Sequence, residues 1–263
     1  MVLAATVICG ACLFTSCKKD EEETPANLNV NENIVGKWIM MDMNGQPLPT
    51  NDKAVFTFTS VTEAYMSASI QAHSELDNLW SLRTHYAVEI SGSTVILTNV
   101  VNEHQTIKVE LVVSSISATE MQATMKNTMV VDGHETSSPA MPMRFAKVAD
   151  YSAAILGLWE CQGITGGETF NDDNARLEFL ADGTYRFYRR SDAGVWNLVP
   201  RQTNEYFVDG NLLCTRWQAA GEEMSYEWWE IASSADGHMQ WTALRQQPDG
   251  TTFHQAVSWE KVN

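Results

Sequence analysis

Residues 177–190 read LEFLADGTYRFYRR, and the alternation within them decides the fold. Leu177 and Phe179 project to one side of an extended chain, and Asp182-Gly183 supplies a turn that tolerates positive φ. Tyr185 and Phe187 then return on the same side, as in a β-hairpin with one apolar face. Residues 107–113, IKVELVV, keep the same period of two: Ile107, Val109, Leu111 and Val113 alternate with Lys108 and Glu110. Further Asp-Gly pairs at Asp132, Asp209 and Asp249 mark tight turns. No segment carries a long helical stripe, and a short helix over Ser67–Leu82 is the one candidate. Many short antiparallel strands with no room for crossover helices make the chain all-β, either barrel or sandwich.

The hairpin belongs to the second of two similar halves. ENIVGKW (32–38) returns as AAILGLW (153–159), and SATEMQATMK (117–126) as SADGHMQWTAL (234–244). VVDGHETSSPAMPMRFAKV (130–148) returns as QQPDGTTFHQAVSWEKV (246–262). The anchors keep their order and their separation drifts by only a few positions, which reads as a duplication. Domains are expected at 33–148 and 153–263, joined around Ala149–Ser152.

Ahead of the first half, Val2–Phe14 is apolar or small but shorter than the roughly 20 residues a transmembrane helix requires. It fits a secretory h-region. Residues 14–23, FTSCKKDEEE, then change from apolar to charged at Cys17. This stretch resembles a bacterial lipoprotein signal, in which a cysteine after a small residue becomes the acylated first residue. The resemblance implies a signal peptide over 1–16, a lipid on Cys17 and attachment to a membrane through that lipid. Lys18 to Glu23 is similar to the acidic tag of Bacteroidetes surface lipoproteins, implying an outer membrane lipoprotein on the cell surface or the periplasmic face. Residues 17–32 are polar, contain Pro25 and lack alternation, so an acidic flexible linker is expected there.

About 230 residues follow the signal, enough for two cores. The formal charge of −16 is spread over both halves. Nucleic acid would require clustered Lys and Arg, and is excluded as a partner. Beyond the signal and the anchor, only Cys161 and Cys214 remain. An oxidising compartment permits a disulfide between them, with two buried thiols as the alternative.

A Gly-X-Trp after an aliphatic residue, the run from Phe179 to Phe187, Trp196, Tyr206 and the late Trp229-Glu230-Ile231 resemble the lipocalin-like domains of Bacteroidetes lipoproteins. The resemblance implies two tandem antiparallel up-and-down β-barrels. It also implies that Trp38 and Trp159 plug the closed ends of the barrels, each packed on a basic residue. That residue would be Arg144 or Lys147 in the first half and Lys261 in the second.

The sequence holds no catalytic constellation. There is no His-Glu-x-x-His, no His or Cys cluster at metal-ligand spacing and no Gly-x-Ser-x-Gly elbow. The expectation is a non-catalytic protein with no metal and no cofactor. A hydrolase built on carboxylate pairs such as Glu222-Glu223 or Asp172-Asp173 is the enzymatic alternative.

Aromatic residues say more. Of nine tryptophans, only Trp38 and Trp80 lie in the first half. Aligning Met239 with Met121 turns Trp229 and Ile231 inward, with Glu227 beside them. An inward carboxylate is costly unless it is paired, hydrated or meets a ligand. Phe179, Tyr185, Phe187, Trp196, Tyr206 and Trp229 are therefore expected either to line a pocket for a small apolar or amphipathic ligand, with Glu227 as its polar handle, or to fill a small barrel. The same parity turns Tyr226 and Trp228 outward. Those two would be covered by the other domain or stack on a glycan.

Overall fold

The computed structural model describes residues 28–69, 80, 83–166 and 174–262. The signal, Cys17 and the linker as far as residue 27 lie outside the described residues. In the first half the alternating segments form β1 (Gly36–Met43), β2 (Gln46–Pro47), β3 (Ala54–Phe58), β4 (Glu63–Ala68), β5 (Thr84–Ser91), β6 (Thr94–Asn102), β7 (Gln105–Ile116), β8 (Glu120–Val131), β9 (His134–Ser137) and β10 (Met141–Val148). The second half supplies β11 (Gly157–Thr165), β12 (Ala175–Phe179), β13 (Tyr185–Arg190), β14 (Trp196–Leu198), β15 (Thr203–Asp209), β16 (Leu212–Gln218), β17 (Ser225–Ala235), β18 (His238–Gln246) and β19 (Thr252–Lys261).

Strands β1, β3 to β8 and β10 run up and down, each antiparallel to the next, and β10 pairs with both β8 and β1. The first domain is thus a closed eight-stranded barrel. The second follows the same order, with β19 returning to β11, but its last joint differs. In the first barrel four residue pairs zip β4 to β5. At the matching place β14 folds back onto Tyr188–Arg190 of β13 and occupies the edge that β15 would use. A single bridge, Thr184 to Glu205, joins the two sides there. The second domain is therefore a curled sheet whose strand pairing across the seam is a single bridge.

Two sequence expectations change here. Ser67 and Ala68, the start of the expected helix, end β4, while positions 70–79 and 81–82 lie outside the described residues. Residues 30–32, expected as linker, belong to a short helix, α1 (Val30–Asn33), because Val30 and Ile34 are buried in the first barrel's core.

The repeated Gly-X-Trp builds the same buried arrangement twice. Trp38 donates its indole N–H to the Ile34 carbonyl and Trp159 to that of Ile155, both at 2.6 Å. Across the strands Trp38 faces Lys147 and Trp159 faces Lys261, whose ammonium groups stand 5.1 and 5.3 Å from the ring centres. Gly36 (φ +130°) and Gly157 (φ +112°) pass beneath these lysines, and a Cβ at Gly36 would sit 2.5 Å from Lys147 Cε. Only glycine accepts that backbone at such an approach. Lys147, not Arg144, is the first barrel's partner. Arg144 is directly opposite Asp42 and ion-pairs with it instead.

Outward residues of β16 and β17 pack on β1 and β3. Leu212, Cys214 and Trp228 form one buried cluster with Ile39 and Val55. Trp80 meets Phe207 edge-on at 5.2 Å. At its border Asp209 is 2% exposed and ion-pairs with Lys37 and, at 3.5 Å, with Arg83. It also accepts hydrogen bonds from Ser67 (2.6 Å) and Thr57 (3.3 Å). Lys53 meets Glu230 at 2.8 Å on the other side. No disulfide joins Cys161 to Cys214: Cys161 faces the second barrel's interior and Cys214 the first domain, so both remain thiols.

Candidate functional site

The two interiors are packed differently. Trp38, Phe56, Phe58, Leu97, Leu111, Met121 and Phe145 are fully buried along the axis of the first barrel. Inside the second lies a cavity of about 270 Å³, close to the lower end of the roughly 300–1,000 Å³ usual for ligand pockets. Strand alternation aims its walls. β12 and β13 contribute Leu177, Tyr185, Phe187 and Arg189; β16 and β17 contribute Thr215, Trp217, Glu227 and Trp229. Trp241 and Trp259 come from β18 and β19. Arg201 reaches it from the connection between β14 and β15, beside the open seam.

Of the wall's charged groups, Arg189 stands 5.7 Å from the centre of the Phe187 ring, and Glu227 and Arg201 each have named polar neighbours. Glu227 faces the cavity, and its Oε1 stands 3.7 Å from Arg245 Nη2, an ion pair too long for a hydrogen bond. Burial raises the Glu227 carboxyl pKa above its ordinary value, with the Arg245 charge opposing. Arg245 lies 4.4 Å over the Trp229 ring and donates from Nε to Gln255 at 3.1 Å; burial lowers its pKa. Arg201 donates from Nη1 to the Tyr185 hydroxyl (3.2 Å) and to Asn204 Oδ1 (3.3 Å). Its guanidinium stands 4.5 Å from the centre of Phe187 and 5.1 Å from that of Trp217. Burial lowers the Arg201 pKa and pushes the Tyr185 phenol well above its usual range. The indole N–H of Trp259 is buried with no hydrogen-bond partner among the described residues.

Of the residues expected at a pocket, Tyr185, Phe187, Glu227 and Trp229 are brought together in the wall. Phe179 and Tyr206 pack beside it, ring centres 4.8 Å apart, and the Tyr206 hydroxyl donates to the Leu180 carbonyl at 2.6 Å. Trp196 does not belong to the pocket. It pairs with Arg190 across β13 and β14 and lies on the outer face, 4.3 Å from the Arg176 guanidinium. Tyr226 and Trp228 do turn outward, but the first domain covers them, leaving Trp228 8% exposed. Glu222 and Glu223 lie on an exposed turn, and Asp172-Asp173 falls outside the described residues.

Period-two reading carried through β16, β18 and β19 would have added Trp217, Trp241 and Trp259, which sit two residues from the inward Thr215, Met239 and Val257. Arg201 stands in an irregular connection and had no such signal.

No family model matches the chain, and no curated protein matches it. Among solved structures, a protein of unknown function from the DUF3598 family of Nostoc punctiforme shares 10% identity, with 90% of this chain and 99% of that one covered and a TM-score of 0.26. A candidate outer membrane protein from Bacteroides fragilis shares 10% identity over 89% of this chain and all of its own (TM-score 0.22). A candidate thioesterase from Novosphingobium aromaticivorans shares 14% identity over 60% and 74% (TM-score 0.14). At these TM-scores the likenesses carry no argument about this chain.

Proposed function

We propose that this chain is an exported, membrane-anchored, non-catalytic binding protein that holds a small apolar or amphipathic ligand in its second barrel. The observation that carries the reading is the contrast of interiors on one strand plan: the second barrel keeps a cavity walled by tryptophans where the first is packed with side chains. A packed barrel serves as a mount, and an aromatic cavity with a few polar groups serves as a binding site. The anchor is the Cys17 lipid, and the location is the outer membrane, on the surface or periplasmic side; both rest on the lipoprotein-like FTSCKKDEEE. The glycan-stacking alternative loses its residues, since Tyr226 and Trp228 lie against the first domain.

Four tryptophans in the wall make intrinsic fluorescence the direct assay. Titration with a panel of fatty acids, bile acids and aromatic acids should quench or shift emission saturably for at least one compound, and no response from any would overturn the reading. Mass spectrometry of the mature protein should find an acylated Cys17; an unacylated start beyond it would remove the anchor.

A further inference from the structure

We infer that the ligand of the second barrel is an amphipathic anion, its acidic group on Arg201 and its flat apolar body among Trp217, Trp229, Trp241 and Trp259. This rests on the reading of the cavity as a ligand site. The argument begins with charge. Arg245 neutralises the carboxylate in the wall, Glu227. Arg201 has no carboxylate within ion-pair distance among the described residues, although Glu227 acts on it at longer range. Arg201 is partly buried, and a guanidinium that gives up part of its hydration without an anion incurs a cost that one arriving with the ligand offsets.

Geometry points the same way. Arg201 is clamped between Phe187 and Trp217, and one nitrogen, Nη1, is tied to Tyr185 and Asn204. The fork is thus fixed before a ligand arrives, and a planar fork suits the two oxygens of a carboxylate. It stands beside the seam between β13 and β15, where strand pairing is reduced to a single bridge. The apolar part of the cavity lies beyond it, walled by indole rings, and rigid aromatic walls favour a flat ligand. Trp259 adds a buried N–H in need of an acceptor.

The test uses three isosteric probes, naphthalene-2-carboxylate, 2-naphthylmethanol and 2-naphthylmethylammonium, titrated calorimetrically into the full chain at pH 7. The carboxylate should bind at least about tenfold more tightly than the alcohol, the lower end of what a hydrogen bond to a charged group supports, and the ammonium should bind weakest. Arg201→Gln should erase the carboxylate's margin over the alcohol. Arg201→Lys keeps the charge but loses the fork, and should keep a reduced margin over the alcohol. If Arg201→Gln fails to fold, the wild-type ranking and Arg201→Lys decide. An alcohol that binds as well as the carboxylate, an ammonium that binds best, or a margin unchanged in either variant overturns the anion assignment and leaves the cavity reading standing. Failure of all three probes and of the wider panel overturns both.

Discussion

The two barrels share a strand order, a buried Gly-X-Trp and a cross-strand lysine, yet one is packed and the other holds a cavity. The difference lies at one seam. Where β4 and β5 zip together the first barrel closes, and inside it Phe56 of β3 and Phe145 of β10, the strands on either side of β1, meet edge-on with centres 6.0 Å apart. Where β14 takes the edge of β13, the wall stands off, and Arg201 with its aromatic clamp occupies the gap. A three-residue strand thus separates a filled barrel from one with room inside.

Asp209→Ala strikes the joint between the two domains and should have the largest effect. It strips a buried acceptor from Lys37, Ser67 and Thr57, and removing one partner of a buried pair costs about 3–5 kcal/mol. Urea unfolding should show that loss, together with separate transitions for the two barrels. A change below about 1 kcal/mol would give Asp209 only the value of a surface pair.

Matched truncations sharpen the contrast of interiors. Phe56→Ala in the packed barrel should cost about 3–5 kcal/mol. Phe187→Ala, whose ring already borders empty space, should cost about 1–2 kcal/mol because fewer contacts are lost. Equal costs by chemical denaturation would mean that the second interior is packed as tightly as the first.

Gly157→Ala tests what the barrels have in common. At φ +112° beneath Lys261, an alanine should cost about 1–3 kcal/mol of backbone strain, read as a lowered urea midpoint. The smallest effect is electrostatic. Because the folded protein raises the Glu227 pKa, it holds that proton more tightly than the unfolded chain does. The contribution is full below the unfolded value near 4.5 and is lost as pH rises through the folded one. Glu227→Gln, neutral throughout, should flatten this part of the curve when unfolding is compared at pH 4.5 and 7. An unchanged slope would mean that Arg245 holds Glu227 ionised.

Strand parity made much of this legible. The opposite fates of Glu227 and Trp229 on one side of β17, and of Tyr226 and Trp228 on the other, follow from a period of two. The buried tryptophan was legible because its glycine and tryptophan recur together, although choosing its basic partner needed register: Lys147 stands opposite Trp38, and Arg144 stands opposite Asp42. Trp196 was misplaced because its short strand folds back onto the edge of β13 in a register that turns the indole outward, and sequence spacing does not reveal that register. Asp209 reads locally as one more Asp-Gly turn. Its burial depends on lysine, serine and threonine side chains more than a hundred positions away. Arg201 has no periodicity around it at all.

The shared anchor at Asp209 also couples the barrels thermodynamically. If the interface fuses them into one cooperative unit, free energy gained by a ligand in the second is felt by the first, and both unfold later by the same RT ln(1 + [L]/Kd). The packed barrel, which contacts no ligand, then becomes a reporter of occupancy: slower hydrogen exchange at β6 and β7 would register a molecule bound in the neighbouring domain.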